Sequence, residues 1–285
     1  MDGEKIDQVT FMDKPRIFVQ KHDLVATADQ TLDAFEANYK VLIDTGIRTS
    51  IGNIKVVEIT EAGNALVAGP SSISGMKKTI DILNTYNPEK TLIDGAFFRH
   101  TLSKISDATV YVVGANFNPE MSKVVEDARL TTQKFELPKA PFETQILTDI
   151  GRVSWFDGED KIKIYEFDSV IGNAEKILDD ANKKYRFLYL PKSLPNEFLE
   201  FMVANRHLGD YDIIIDSPVA LQLNFKNARN LFKLNKKLYV INPINLVAVC
   251  YNPYSPQGYR FDDAVFEEQL NKALNRRVFN VEKEV

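Results

Sequence analysis

Short apolar segments alternate with amphipathic segments along most of this chain, and this alternation constrains the fold more than any other feature. Strand-like runs occur at residues 40–44, 186–190 and 211–215, and apolar residues recur at helical spacing in residues 72–86 and 262–274. Strands that alternate with helices favour parallel sheets covered on both faces. The sequence therefore predicts an α/β protein.

A proline-containing segment divides the alternation into two halves. Residues 137–142 read LPKAPF, and Pro138 and Pro141 together favour an extended chain because neither can continue a helix. A length of 285 residues suits one large or two ordinary domains. We expect two domains, residues 1–138 and residues 150–285, each a mainly parallel sheet with helices on both faces.

Local patterns predict further elements within this plan. Turn-forming residues, EAGN in the first half and DGED in the second, mark two hairpins. The expected elements are a helix over residues 27–37, a hairpin between residues 51–60 and 65–68, a strand at residues 91–93, and a hairpin between residues 152–156 and 161–167.

Charge and composition narrow the choice of partners. The net charge is -5, with 26% charged and 44% hydrophobic residues and no long basic run. Nucleic acid and anionic membranes are therefore not expected partners. No apolar run approaches the ~20 residues that span a bilayer, and the chain begins with the polar MDGEKIDQ. We expect a cytoplasmic protein.

Cysteine and histidine are scarce. Cys250 is the single cysteine, so the chain has neither an internal disulfide nor a cysteine-cluster zinc site. The three histidines, His22, His100 and His207, lie far apart and show no ligand spacing. The sequence predicts no metal site and no cofactor.

Three apolar runs end in an aspartate followed by a small or turn-forming residue. They are LIDTG, LIDGA and IIDSP, and they contain Asp44, Asp94 and Asp216. The carboxyl ends of strands in an open parallel sheet line the ligand crevice, and an aspartate there can hold Mg²⁺ in a nucleotide hydrolase. The alternative is that each aspartate caps the helix or turn that follows it.

The segment TLIDGAFFRH, residues 91–100, concentrates candidate binding residues. Asp94 and Gly95 end the apolar run, and Arg99 and His100 follow two phenylalanines. Among the histidines, His100 is the candidate for a functional role, because it lies close to an expected strand end, although this position is not specific to function. These four residues are candidates for binding a ligand or a partner.

A second candidate segment, NPYSPQGYR, follows the apolar run at residues 246–251. Prolines, a glycine and tyrosines make a stiff aromatic loop that can wall a pocket or an interface. Asn252 and Tyr254 are its candidate binding residues. The alternative is a packed turn that leads into the helix expected from Asp262.

A phosphate-binding loop is not evident. The nearest match to G-x-x-x-x-G-K-[ST] is GPSSISGMKK at residues 69–78. Its glycines are one residue too far apart, Met76 replaces the lysine, and a lysine stands where a hydroxyl is needed. A serine-capped helix entry explains the same residues more simply.

The order of several segments resembles a known family. These segments are DGEKID, KPRIFV, LVATA, DTGIRTSIGNI, VAGP, LIDGAFFR and YNPYSPQGYRFD. Together they resemble the small reactivase subunit associated with cobalamin-dependent lysine and ornithine aminomutases, over most of the chain. Such proteins begin with a strand and a P-loop before the DGE segment, whereas this sequence starts at Met1 with DGE directly after it. Phe98 also stands where the family carries an acid.

The resemblance implies an accessory, non-catalytic role. The first domain would be P-loop-NTPase-like without its P-loop, and the partners would be an adenosylcobalamin-dependent aminomutase and an ATPase subunit. Two alternatives stay open, so the sequence does not decide whether the protein is an enzyme. One is an enzyme that handles nucleotides or phosphometabolites through strand-end aspartates. The other is a small-molecule binding module with its pocket between domains.

Overall fold

Two compact units make up the chain, Met1–Ile105 and Ser106–Val285. The computed structural model describes residues 16–94, 105–159, 162–181, 185–207, 209–223, 225–231, 234 and 236–283. The segment in which the sequence placed the domain division, residues 139–149, lies inside the second unit.

The first unit is built on antiparallel strands. In the described residues, β2 and β3 both pair with β4, and β1 pairs with β5, all antiparallel. The elements are β1 (Ile17–Val19), β2 (Leu24–Ala28), β3 (Asn38–Thr49), β4 (Gly52–Glu61), β5 (Gly63–Ala65) and α1 (Ile73–Asn84). The prediction of a mainly parallel sheet is therefore wrong for this unit.

The direction of the strands follows from a short connection. Only Ser50 and Ile51 separate β3 from β4, whereas parallel strands need a crossover of about a dozen residues or more. Gly52 has φ +102, a backbone conformation that favours glycine, and the Thr49 hydroxyl donates to the Gly52 carbonyl at 2.8 Å. These residues fold the chain back as a hairpin.

Of the two helices and one hairpin predicted for the first unit, one helix and the hairpin are wrong and the other helix is confirmed. The expected helix over residues 27–37 is the end of β2 followed by a 3₁₀ helix, Asp29–Ala34. The expected hairpin between residues 51–60 and 65–68 is replaced by pairing of β4 with β2 and β3. The helix expected over residues 72–86 is α1, where the Ser72 hydroxyl accepts from the Gly75 N–H at 3.0 Å.

All parallel strand pairs of the described chain lie in the second unit. Its elements are β6 (Thr109–Gly114), α2 (Met121–Phe135), α3 (Gln145–Ile150), β7 (Ser154–Phe156), β8 (Ile162–Ile164), α4 (Ala174–Leu178), β9 (Phe187–Leu190), β10 (Leu194–Pro195), α5 (Asn196–Ala204), β11 (Asp212–Ile215), β12 (Leu221–Gln222), α6 (Phe225–Leu231), β13 (Leu238–Val240), β14 (Leu246–Asn252), α7 (Asp263–Leu274) and β15 (Phe279–Asn280). The short β10 and β12 also pair in parallel. The α/β class is therefore confirmed.

The larger sheet has five strands in the order β13-β11-β9-β7-β8. β9, β11 and β13 are parallel, and the expected hairpin of β7 and β8 is present. The connections advance in one direction, so right-handed crossovers place α5 and α6 on one face. Leu199 and Leu231 lie in the core on that face, and Leu147 of α3 packs in a smaller cluster on the other face.

The smaller sheet has three parallel strands in the order β15-β14-β6. Alternation along β6 turns Tyr111 and Val113 towards the helices α2 and α7, where Val124 and Phe266 are buried with them. The same alternation leaves Val110 and Val112 on the opposite face, 55% and 50% exposed. In the described part of the chain this sheet is thus covered on one face.

Pairing of β6 with β14 joins residues from both predicted domains. The pairing runs from Thr109 beside Leu246 to Gly114 beside Asn252. A division into residues 1–138 and 150–285 would separate these strands. The proline segment, residues 137–142, instead pairs with β13 of the larger sheet. The Val240 N–H donates to the Pro138 carbonyl at 2.9 Å.

Candidate functional site

Asp44 does not lie at the end of a parallel strand. It falls within β3, is exposed, and its carboxylate accepts from the Gly46 N–H at 3.0 Å. Gly46 has φ +68, and the register of β3 against β4 is interrupted between Asp44 and Arg48. The aspartate therefore shapes an irregularity in an antiparallel strand, and the prediction that it lines a parallel-sheet crevice is wrong.

Asp94 has no regular strand before it. Residues 91–94 are irregular, and Leu92 is 93% exposed, so the strand predicted at residues 91–93 is wrong. Gly95, Arg99 and His100 lie outside the described residues. Whether these three act together with Asp94 stays a prediction.

The nearest phosphate-loop match is a helix start. Ser72 caps α1, and Gly75 lies in the first turn of this helix. A Cβ added at Gly75 would lie 3.0 Å from the Ser72 hydroxyl and from the Pro70 side chain. This is the serine-capped helix entry that the sequence offered as the simpler alternative.

Asp216 stands at the carboxyl end of β11, as the sequence predicted. Its carboxylate accepts from the Asn242 side chain at 3.0 Å, and its carbonyl accepts from the Asn242 N–H at 2.8 Å. Burial, with a smaller effect from the Asp216 charge, raises the pKa of Tyr189 to about 12. These hydrogen bonds thus link the carboxyl ends of β11 and β13.

Ser217 follows Asp216 and is fully buried. Its hydroxyl has no hydrogen-bond partner among the described residues. A buried polar group without a partner costs free energy, so this side chain is a weak point of the carboxyl edge rather than part of an assembled site.

Asn252 and Tyr254 belong to a closed turn after β14. The Asn252 side chain accepts from the Tyr254 N–H at 2.9 Å, and Tyr254 forms a β-bridge with Arg260. The Tyr259 hydroxyl donates to the Ala115 carbonyl at 2.6 Å, which anchors the turn to the end of β6. The packed-turn alternative fits these contacts, and Tyr254 stays half exposed on the surface.

A polar cluster around the buried side chains of Tyr251 and Asn280 was not anticipated. The Tyr251 hydroxyl lies 3.0 Å from carboxylate oxygens of both Asp263 and Glu267, and the Asn280 side chain donates to Asp263 at 2.7 Å. Burial raises the pKa of Tyr251, and the Lys283 ammonium holds the pKa of Asp263 below its usual range. The carboxylates spaced four residues apart on α7 were the signal in the sequence.

A cleft lies at the amino ends of the parallel strands. It has a volume of about 400 Å³ and lies in front of β9, β11 and β13. Its lining residues are Arg186, Asp210, Tyr211, Asp212, Leu234, Lys236 and Lys237. Sequence reasoning missed it because ligand sites of open parallel sheets are expected at the opposite edge.

Lys236 is held against the wall of the cleft. Its ammonium lies 3.5 Å from the centre of the Tyr211 ring and donates to the Gly209 carbonyl at 3.1 Å. Burial lowers the pKa of Lys236, and the charges of Asp210 and Asp212 act in the opposite direction. The Asp212 carboxylate also accepts from the Lys237 N–H at 2.9 Å.

Metal and membrane features are not found in the described residues. No group of three or more histidine, cysteine, aspartate or glutamate side chains is placed there to hold a metal ion. None of the helices in the same residues is both long and apolar enough to cross a bilayer.

Comparisons of the chain with models of protein families, with curated proteins and with solved structures find no match.

Proposed function

We propose that this protein is a non-catalytic accessory subunit that works by binding another protein. The partner is an adenosylcobalamin-dependent amino acid aminomutase, and the role is of reactivase type, in concert with an ATPase subunit. The resemblance of the ordered segments supports the choice of partner. The face of the β15-β14-β6 sheet on which Val110 and Val112 are exposed supports a protein-binding role.

That face is apolar across all three strands. Val110 and Val112 of β6 lie beside Ala248 and Cys250 of β14, and Cys250 lies beside Phe279 of β15. Parallel sheets are normally covered on both faces, and an apolar patch on the surface marks a protein contact. A partner that packs on this face would bury its apolar side chains, so we expect the partner to bind there.

The aspartates fit this role better than the enzyme alternative. Asp44 accepts a hydrogen bond from Gly46 within β3, and Asp216 accepts one from Asn242 after β13. An aspartate that holds Mg²⁺ in a nucleotide site would instead act together with a phosphate-binding loop.

A reactivase of this kind needs differential affinity for two states of its partner. It would bind the open state of the inactivated aminomutase more tightly than the closed state, and this shifts the population towards release of the damaged cofactor. The ATPase subunit would supply the energy for repeated cycles.

The direct test mixes the purified chain with the aminomutase and the ATPase subunit. We expect binding and a faster recovery of inactivated aminomutase. Val112→Asp should weaken binding at least tenfold, because it places a charge in the apolar contact. Val265→Asp is the matched control, since Val265 is similarly exposed on α7. No binding and no change in recovery would overturn the proposal.

Calorimetry of the chain alone with ATP or GTP and Mg²⁺ tests the enzyme alternative. We expect no heat of binding. Micromolar affinity would favour the nucleotide-handling enzyme over the accessory subunit.

A further inference from the structure

The cleft in front of β9, β11 and β13 contains charged groups that form no close ion pair within the described residues, although the charge of Asp210 acts on the pKa of Lys236. In the described part of the chain, Arg186, Lys237 and Asp210 form no ion pair with any other side chain. Arg186 is exposed, and its guanidinium lies 5.4 Å from the centre of the Phe187 ring. The cleft thus offers two cations and one carboxylate.

The remaining charged groups of the cleft are already engaged. Lys236 is held by the Tyr211 ring and the Gly209 carbonyl. One Asp212 oxygen accepts from the Lys237 backbone N–H, which fixes the start of β13 beside β11. These contacts fix the wall of the cleft. The charged groups that a ligand can contact are therefore Arg186, Lys237 and Asp210.

The floor of the cleft is rigid. Tyr211 is buried and packs edge-on against the fully buried Trp155, with ring centres 4.8 Å apart. The backbone at Arg186, Asp212 and Lys237 is fixed by strand pairing, because the Asp212 N–H donates to the Arg186 carbonyl and the Ile213 N–H donates to the Lys237 carbonyl. A site whose frame is already ordered loses less entropy when it binds.

We propose that this cleft binds a free acidic amino acid, that is, a small zwitterion with a second carboxylate. The guanidinium of Arg186 suits one carboxylate, because it can donate two parallel hydrogen bonds, and the Lys237 ammonium faces the other. Asp210 accepts from the ligand ammonium. A volume of about 400 Å³ falls in the range of small-molecule pockets.

The mixture of charges distinguishes this ligand from simpler anions. The full lining carries a net charge of one positive unit, from Arg186, Lys236 and Lys237 against Asp210 and Asp212. Two carboxylates in the wall would repel a phosphate, whereas the ammonium of an amino acid compensates them. The inference does not depend on the aminomutase proposal.

Isothermal titration of the full chain with L-glutamate or L-aspartate tests the site. We expect one of the two to bind with a Kd below about 1 mM. Glycine lacks the second carboxylate and glutarate lacks the ammonium, so each should bind at least tenfold more weakly, a loss of about 1.4 kcal/mol or more.

Variants assign the binding to the cleft. Arg186→Gln and Asp210→Asn should each weaken binding of the acidic amino acid at least tenfold, and Asp210→Asn should not weaken binding of glutarate. Lys226→Gln, an exposed lysine on α6 away from the cleft lining, is the matched control. Thermal unfolding of each variant shows that the exposed substitutions leave the fold intact.

Two outcomes would overturn the proposal. One is no heat from either acidic amino acid at about 10 mM, well above a millimolar Kd. The other is binding that is the same for glutarate, or that Asp210→Asn leaves unchanged, since the ammonium would then contribute nothing.

Discussion

The Tyr165 hydroxyl donates to the buried carboxylate of Asp180 at 2.5 Å. Lys163 pairs with the same carboxylate oxygen. Burial, together with the hydrogen bond to Asp180, raises the pKa of Tyr165. This contact joins the end of β8 to the residues after α4 across the larger core.

Asp180→Asn should destabilise the second unit. The amide can still accept from Tyr165 but no longer compensates Lys163, so we expect the free energy of unfolding to fall by about 1–3 kcal/mol. Urea denaturation measures the change. The neighbouring Asp179 is exposed, so Asp179→Asn should stay within about 0.5 kcal/mol. Equal effects of the two variants would contradict the importance of the buried carboxylate.

Glu126 should make stability depend on pH. Its carboxylate accepts from Arg129 at 2.7 Å and from Arg229 at 2.8 Å, which links α2 to α6. The hydrogen bond from Arg129, with that from Arg229, lowers the pKa of Glu126 from 4.5 to about 2. A lowered carboxyl pKa stabilises the fold above the unfolded-state value and loses this contribution as the pH falls through the folded-state value.

Glu126→Gln should therefore lower the free energy of unfolding by about 1 kcal/mol at neutral pH, because the pair is partly solvated. The difference from the parent protein should shrink between pH 4.5 and about pH 2. Denaturant titrations across this range measure it. Glu120→Gln removes the exposed pair with Lys123 and should change little at any pH. A difference that persists at the lowest pH would argue against the assignment.

Gly209→Ala should be far more disruptive than Gly172→Ala. Both glycines have positive φ, +65 and +73, but a Cβ at Gly209 would lie 2.0 Å from the Ala181 carbonyl oxygen, whereas Gly172 has open space. Strain alone costs about 1–2 kcal/mol at Gly172. The clash at Gly209 should raise the loss to about 3 kcal/mol or more. Thermal unfolding of both variants distinguishes strain from clash, and equal losses would show that the backbone at Gly209 relaxes freely.

Ser217→Ala should not destabilise the protein. The Ser217 hydroxyl is buried without a partner among the described residues, so its removal should leave the free energy of unfolding unchanged or raise it by about 1 kcal/mol. Ser72→Ala is the control for removal of a hydroxyl that does form a hydrogen bond. Loss of this α1 cap should lower the free energy of unfolding by about 1 kcal/mol. Chemical denaturation compares them. A loss at Ser217 as large as that at Ser72 would reveal a hydrogen bond to the hydroxyl.

Strand direction was the main property that the sequence pattern could not supply. The apolar run at residues 40–44 resembles that at residues 212–216, yet one lies in an antiparallel hairpin and the other in a parallel sheet. The decisive residues are Ser50 and Ile51, a connection too short for a crossover. Periodicity predicted β11, β14 and α7 correctly because each has a long or well-bounded pattern.

The candidate site was predictable only in part. Asp216 and Asn252 stand at the ends of parallel strands, as expected from the apolar runs before them. The cleft was not predictable, because Arg186, Asp210 and Lys237 come from three separate segments and precede their strands. Their proximity depends on the pairing of β9, β11 and β13, which no local pattern encodes.

Pairing of β6 with β14 has a consequence during synthesis on the ribosome. β6 ends at Gly114 and its neighbour begins only at Leu246. At about 5–20 residues per second, the roughly 130 intervening residues take roughly 7–26 s to emerge. Throughout that interval β6 has neither the strand nor the α7 helix that later bury Tyr111 and Val113. The last strand of the larger sheet, β13, ends at Val240, so that sheet is complete only shortly before Leu246 emerges. The nascent chain thus carries an unpaired apolar strand while most of the second unit is made, and chaperones that shield such strands should matter more for its yield than for its final stability.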